Sequence, residues 1–247
     1  MSTDSYIDLI TKILEKIKNH NEDSLEMVSS LIVDTVLDSK SVFIFGCTHA
    51  GILTQEAFYR TGGLAIFNPI FSPGLSVNDF PITLTSQMER LPSYGSRIAE
   101  QSGMVKGDIL IIHSVSGRNN VPIDLCLTAR EMGIRTIAIT SLEYSNKIES
   151  RHPSGMRLFE CCDIVIDNCC PFGDALVRLV TSNIKVGPAS TVAGAAIINE
   201  IVVRVAKRFE ELGMIPPVFS SANIDDGSDY NLNVYSQYKN NIKYVMY

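Results

Sequence analysis

The stretch that most constrains this chain is Asp108-Ile-Leu-Ile-Ile-His113 followed directly by Ser114-Val-Ser-Gly-Arg-Asn-Asn120. Its apolar residues run without alternation and are rich in β-branched side chains. An exposed strand would alternate, so this one is expected to be covered on both faces, as in a parallel sheet. A helical pattern follows, from Val121 to Met132. A strand that turns into a helix through Ser114, Ser116 and Gly117 aims hydroxyls, backbone N–H groups and a helix dipole at one spot, which suits a phosphate. The plainer reading is a polar turn with Asn120 as the N-cap.

The same alternation recurs along the chain. Residues 5–20 and 25–36 carry apolar positions at helical spacing, with Asp4 as the expected cap of the first, and predict an amphipathic helical hairpin. Strands are expected at 41–46, 64–67, 108–113, 134–139 and 163–166. Helices are expected at 52–61, 87–101 (interrupted at Pro92 and Gly95), 121–132 and 189–209. Strands and helices alternating at this interval imply an α/β fold with a five-stranded parallel sheet and helices on both faces. In such sheets ligands bind beyond the carboxyl ends of the strands, which brings the loops 46–51, 114–120 and 140–141 to one edge. Three segments result: a helical hairpin at 1–40, the α/β domain at 41–212, and an extension at 213–247 that is rich in Asn, Asp, Ser and Tyr after Pro216-Pro217 and is expected to wrap.

Composition narrows the function. The 247 residues carry a formal net charge of −6, which argues against a nucleic-acid or anionic-membrane surface. No apolar run reaches membrane-spanning length and the first residues lack the features of a signal peptide, so the expected location is the cytoplasm. The six cysteines show no zinc spacing: Cys161-Cys162 and Cys169-Cys170 are adjacent pairs, and Cys47 and Cys126 stand alone. All six read as reduced, and no metal or cofactor is expected. Gly46-Cys-Thr-His-Ala-Gly51 keeps the outer glycines of a dinucleotide-binding turn but has Thr48 in place of the middle one, and no Gly-Lys-Ser/Thr follows, so both nucleotide readings are weak. The 192–203 stretch is apolar all round except for Asn199 and Glu200, which predicts burial on every side, partly by a second subunit. Glu200 pairs at i,i+4 with Arg204 or belongs to a site.

Several stretches together resemble a sugar isomerase (SIS) domain, the family of phosphosugar isomerases and phosphosugar-binding regulators, and within it the phosphoheptose-isomerase-like branch of single-domain proteins. They are Glu56-Ala-Phe-Tyr-Arg-Thr-Gly-Gly63, Asn68-Pro69, Ser114-x-Ser-Gly-Arg-Asn119, Ser150-Arg-His-Pro-Ser-Gly155, Lys185-Val-Gly-Pro188 and Ser221-Ala-Asn-Ile-Asp225. The resemblance runs to Asn231. It implies a flavodoxin-like three-layer sandwich, a homodimer or dimer of dimers formed through helices, and a sugar phosphate held by Ser114, Ser116, Gly117, Arg118 and Asn119. It implies Glu56 as the catalytic base with Arg60 beside it, a helix i,i+4 pair that would otherwise read as an exposed ion pair of little consequence.

The chain departs from the family in three places. Thr48 and Ala50 stand where relatives have Gly and Ser, so Thr48 becomes the candidate sugar contact. The last long helix lacks the catalytic histidine, which leaves His49, His152 or Glu200 as the second acid/base, with His49 favoured. The tail reads Asp229-Tyr230-Asn231 in place of Asp-Glu-His-Asn. His113 reads as structural. The expected activity is isomerisation or dehydration of a sugar phosphate, with amino-sugar 6-phosphates as the expected class. The rival is a non-catalytic phosphosugar sensor, against which stands the absence of a DNA-binding segment or basic patch.

Overall fold

The computed structural model describes residues 5–221, 223, 225 and 227–245. Five parallel strands, β1 (Val42–Gly46), β2 (Phe67–Pro69), β3 (Ile109–His113), β4 (Arg135–Thr140) and β5 (Ile164–Asp167), lie in the order β2-β1-β3-β4-β5. The unalternating apolar runs are explained by cover on both faces. Val42 and Ile44 of β1, Ile109 and Ile111 of β3, and Ile137 and Ile139 of β4 pack into one core with α1 (Tyr6–His20), α2 (Glu22–Leu37) and α9 (Ser190–Glu211). Phe43, Phe45, Leu110, Ile112 and Ala138 pack on the opposite face, against α5 (Tyr94–Gln101), α6 (Asn120–Glu131) and α8 (Leu158–Cys161). Crossovers leave β1 toward β2 on one side and reach β3 on the other. The switch in winding therefore falls between β1 and β3, whose ends Gly46 and His113 are register partners.

Local and long-range contacts move several boundaries. Asp4, the expected first cap, lies outside the described residues. Ser5 caps α1, accepting from the Asp8 N–H at 3.2 Å while the Asp8 carboxylate accepts from the Ser5 N–H at 2.9 Å. The helix expected at 52–61 ends early: α3 covers Ile52–Ala57. Phe58 leaves in an extended conformation so that its ring meets Phe71 and Tyr244 edge-on, and Tyr59 turns to positive φ with its ring against Phe219. β2 begins at Phe67, not at Leu64, because 62–65 pairs with the C-terminal extension: Gly62 N–H donates to Phe219 O, Ala65 N–H to Pro217 O and Phe219 N–H to Gly63 O. Residues 87–101 split into α4 (Thr83–Met88) and α5, and short helical turns stand at α7 (Leu142–Ser145) and α8.

Two elements go beyond the sequence expectation. An antiparallel hairpin, β6 (Ala175–Arg178) and β7 (Lys185–Pro188), docks on α1, where Tyr6 Oη donates to Pro188 O at 2.8 Å and a Cβ on Gly187 would sit 2.7 Å from the Tyr6 ring. The C-terminal stretch contains α10 (Gly227–Gln237). It is anchored through Asn241, whose Nδ2 donates to Val36 O and Lys40 O while its carbonyl accepts from Asn68 Nδ2. The apolar helix α9 buries Ala193, Ile197, Ile198, Ile201 and Val205 within its own chain and leaves Val192 and Val203 exposed, so a partner subunit is not what covers most of it.

Candidate active site

The paired ends of β1 and β3 send the loops 47–51 and 114–119 out of the sheet side by side, and His113 joins them. Its Nδ1 lies 3.1 Å from Ala50 O, its Nε2 is buried without a partner, and burial pushes its pKa below the usual range, so the ring is neutral and Nδ1–H donates. The first loop turns so tightly that a Cβ on Gly46 would stand 2.4 Å from Ala50 O and one on Gly51 2.9 Å from Gly46 O. Both glycines are thus explained by chain closure. Thr48, at positive φ, donates its N–H to Leu75 O at 2.7 Å and lines a cavity of about 310 Å³ with Gly46, Thr54, Gln55, Leu75 and Ser76.

The second loop enters with Ser114 N–H donating to Ile139 O at 3.1 Å, and from Val115 to Arg118 it is held through its carbonyls. Val115 O accepts from Ser141 N–H, Ser116 O from Ser145 Oγ at 2.6 Å, Gly117 O from Leu158 N–H at 2.8 Å and Arg118 O from Arg151 N–H at 2.8 Å. Gly117 lies at positive φ, and a Cβ there would press on Leu158 and Ser145 at 3.1 and 3.2 Å. Among the described residues, the amide N–H groups from Ser116 to Asn119 and the hydroxyls of Ser114 and Ser116 take no partner. Fixing a loop by its acceptors while its donors stay uncommitted leaves a cradle of N–H and O–H groups at the head of α6, an arrangement that suits an anion. Asn120 is not the N-cap. The helix starts there, and the capping position belongs to Asn119, whose side chain is engaged elsewhere.

Basic side chains gather beside the cradle. Arg151 Nη1 donates to Asn119 Oδ1 at 2.8 Å, and Arg118 Nε is buried without a partner. Burial, then the charges of Arg118 and Arg90, lower the Arg151 pKa, with the Glu89 carboxylate opposing. Glu89 is half-buried. Burial raises its pKa against the Asn119 hydrogen bond and the charges of Arg90 and Arg151, and its charge also bears on Cys47 in the first loop. The backbone fixes this carboxyl between the two loops: Glu89 O accepts from Val121 N–H at 3.1 Å and Arg90 O from Asn120 Nδ2 at 2.8 Å.

The SIS domain family matches residues 5–141. The chain belongs to that family. A UPF0309 protein of Oceanobacillus iheyensis is 47% identical to this SIS chain over 95% of its length and 97% of the relative's. One from Shouchella clausii is 44% identical over 98% of both. Among solved structures, phosphoheptose isomerase from Neisseria gonorrhoeae superposes with a TM-score of 0.52 over 80% of this chain and 91% of its own, at 14% identity, which shows a shared fold.

The other candidates named from the sequence scatter around this centre. Thr48 shares the sheet edge with Ser114, Ser116, Gly117, Arg118 and Asn119, and His49 stands exposed one residue beyond it. Arg60 lies past the end of α3, so its pairing with Glu56 is not the helix-face pair expected. The chain turns back to bring the guanidinium onto Glu56 Oε1, and both side chains stay partly exposed. His152 spends both nitrogens: Ser154 N–H donates to Nδ1, and Nε2 lies 2.9 Å from Asp124 Oδ1. Glu200 sits on another face, where Arg204 Nε donates to it at 2.8 Å and Arg204 also binds Glu22. Glu89, Arg90 and Arg151 were not among the sequence candidates. Arg151 is signalled by its place next to His152 in Ser150-Arg-His-Pro-Ser-Gly155, whereas Glu89-Arg90 carries no sequence signal.

Proposed function

We propose that this SIS domain protein binds a sugar phosphate and interconverts its aldose and ketose forms, with amino-sugar 6-phosphates as the substrate class. The observation that carries the reading is the Ser114–Asn119 loop, with the carbonyls from Val115 to Arg118 tied and the amides from Ser116 to Asn119 free. The phosphate seats there, with Arg118 and Arg151 adding charge-assisted hydrogen bonds. This fixes the far end of an open-chain sugar, so proton transfer at the other end becomes intramolecular. Glu56, oriented by Arg60, takes the proton next to the carbonyl, and the enediol reprotonates at the neighbouring carbon.

Glu89 serves as the second proton-handling group. It lies between the two loops and burial favours its protonated form, whereas His152 and Glu200 are committed to Asp124 and Arg204. His49, exposed at the same edge, is the competing assignment.

The deciding experiment offers a panel of hexose and amino-sugar phosphates to the protein in deuterated water. Deuterium entering the carbon beside the carbonyl, with a ketose as product, is the expected result. Glu56→Gln should keep binding and lose about 10²–10⁴-fold in turnover, and Glu89→Gln should lose more than His49→Gln. An unsaturated product would redirect the assignment to elimination. Tight binding without exchange or turnover would make the protein a sensor.

A further inference from the structure

Cys126 does not stand alone. It lies on α6, facing α8, where Cys161 closes the short helix and Cys162 follows as its extended C-cap. Cys126 Sγ and Cys162 Sγ are 3.3 Å apart. A disulfide needs about 2.05 Å, so a closing movement of little more than an ångström separates the two states. Cys126 and Cys161 are buried, and Cys162 is partly exposed, which gives a reagent one point of entry. Arg130, one turn along α6, donates from Nη1 to Cys161 O at 2.8 Å and holds the helix and the cysteine pair together. Among the described residues no three His, Cys, Asp or Glu side chains are arranged to hold a metal, so the cluster is not a metal cage.

We propose that Cys126 and Cys162 form a thiol-oxidation site that closes to an intramolecular disulfide when a peroxide-class oxidant reaches Cys162. The Cys162 sulfur takes one peroxide oxygen, the O–O bond breaks, and the thiol proton leaves with the other oxygen as water, giving a sulfenic acid. The Cys126 sulfur then attacks the sulfenyl sulfur, the S–O bond breaks, and hydroxide leaves with the Cys126 proton as a second water. Two electrons pass from the thiols to the peroxide, and a dithiol reductant reverses the change.

The remaining sulfur supports the step. Cys161 contacts both reacting thiols, and hydrogen bonds from Cys126 and Cys162, with help from the Arg130 charge, lower its pKa to about 4, so its sulfur accepts from the two S–H groups and holds them side by side. Burial raises Cys162 as it raises Cys47, Cys169 and Cys170, so geometry separates them: Cys169 and Cys170 face the carbonyls of Asp167 and Asn168, whereas Cys162 Sγ faces Cys126 Sγ. The bond would join α6 to the turn before β5 about two helical turns from the Ser114–Asn119 loop, and it would close off the segment that carries Arg151 and His152.

The test treats the full-length protein with hydrogen peroxide, alkylates the remaining thiols under denaturing conditions, and maps peptides without reduction. One linked pair, Cys126 with Cys162, is expected within the monomer mass. The other four of the six cysteines should be alkylated, and dithiothreitol should reverse the link. Cys161→Ser should still form it. Cys126→Ser should not, and Cys162 should then be trapped by dimedone as the sulfenic acid. Six alkylated thiols in the treated wild type, or a Cys161–Cys162 link in its place, would overturn the assignment. Because wild-type mapping decides the question, it survives any variant that fails to fold.

Discussion

Arg151 Nη1 and Asn119 Oδ1 meet at 2.8 Å across 32 residues of chain, and the Arg151 N–H binds Arg118 O at the same distance. One residue of the 150–155 loop thereby fixes the last two positions of the Ser114–Asn119 cradle and brings a cation to its rim. Nothing local dictates this: the contact exists because β4 follows β3 in the sheet and their exit loops share an edge.

Arg151→Met should therefore weaken anion binding more than it weakens the fold. A hydrogen bond to a charged group is worth about 1.5–3 kcal/mol. Arg151 is exposed, which points to the lower end, about tenfold in affinity. Calorimetric titration with inorganic phosphate and with a hexose 6-phosphate, repeated at two salt concentrations, reads it. Equal affinities for wild type and variant would remove Arg151 from the site.

Ser116→Asp places a carboxylate among the uncommitted donors of the cradle, where it competes with and repels a phosphate. Binding of sugar phosphates should vanish, while Ser116→Ala should lose only the hydroxyl's share, about tenfold or less. The same titration separates the two, and phosphate binding that persists in the Asp variant would exclude this loop.

The fold was legible where burial writes itself into sequence. Ile109 to Ile112 announce β3 because both faces of a central parallel strand need apolar cover, and Ser114 to Gly117 announce the strand-to-helix turn because few other residue types turn so sharply. The start of β2 was not legible. Residues 64–67 read as the strand, but Ala65 and the neighbouring Gly63 pair with Pro217 and Phe219, roughly 150 residues away. The end of α3 was hidden for the same reason, since Phe58 and Tyr59 leave the helix to pack on Tyr244 and Phe219. Glu89 reaches the crevice through backbone bonds to Val121 and Asn120, which no local pattern records. Helix periodicity suggested the Glu56–Arg60 pair, yet the pair forms by a turn beyond the helix, so the contact was right and its geometry was not.

Asn241→Ala tests the anchoring of the extension. Its amide is buried and donates to Val36 O at 3.0 Å and Lys40 O at 2.7 Å. Truncation removes both bonds and leaves Lys40 O short of a donor, while Val36 O keeps the Ser39 N–H, a loss of about 1–3 kcal/mol. Urea unfolding should show the unfolding free energy falling by that amount, as a lower midpoint with an unchanged slope. A change below about 0.5 kcal/mol would mean that the extension is not tethered there.

His113 predicts a pH dependence whose sign is opposite to that of a histidine stabilised by a carboxylate. Burial lowers its folded pKa below 6.5, only partly offset by the Ala50 carbonyl and the Asp174 charge. Between the folded value and 6.5 the unfolded chain binds the proton and the folded chain does not, so stability rises with pH across that window. The contribution is complete above about 6.5 and drains away as the pH falls, by at most about 1.4 kcal/mol per pH unit. His113→Asn should keep a donor near the Ala50 carbonyl and remove the titration. Urea unfolding of both proteins across this range gives the difference directly, since the other histidines contribute equally to each and cancel. The wild type should lose stability relative to the variant as the pH drops below 6.5, and parallel curves would mean that His113 is protonated in the folded state or exchanges its proton there without cost.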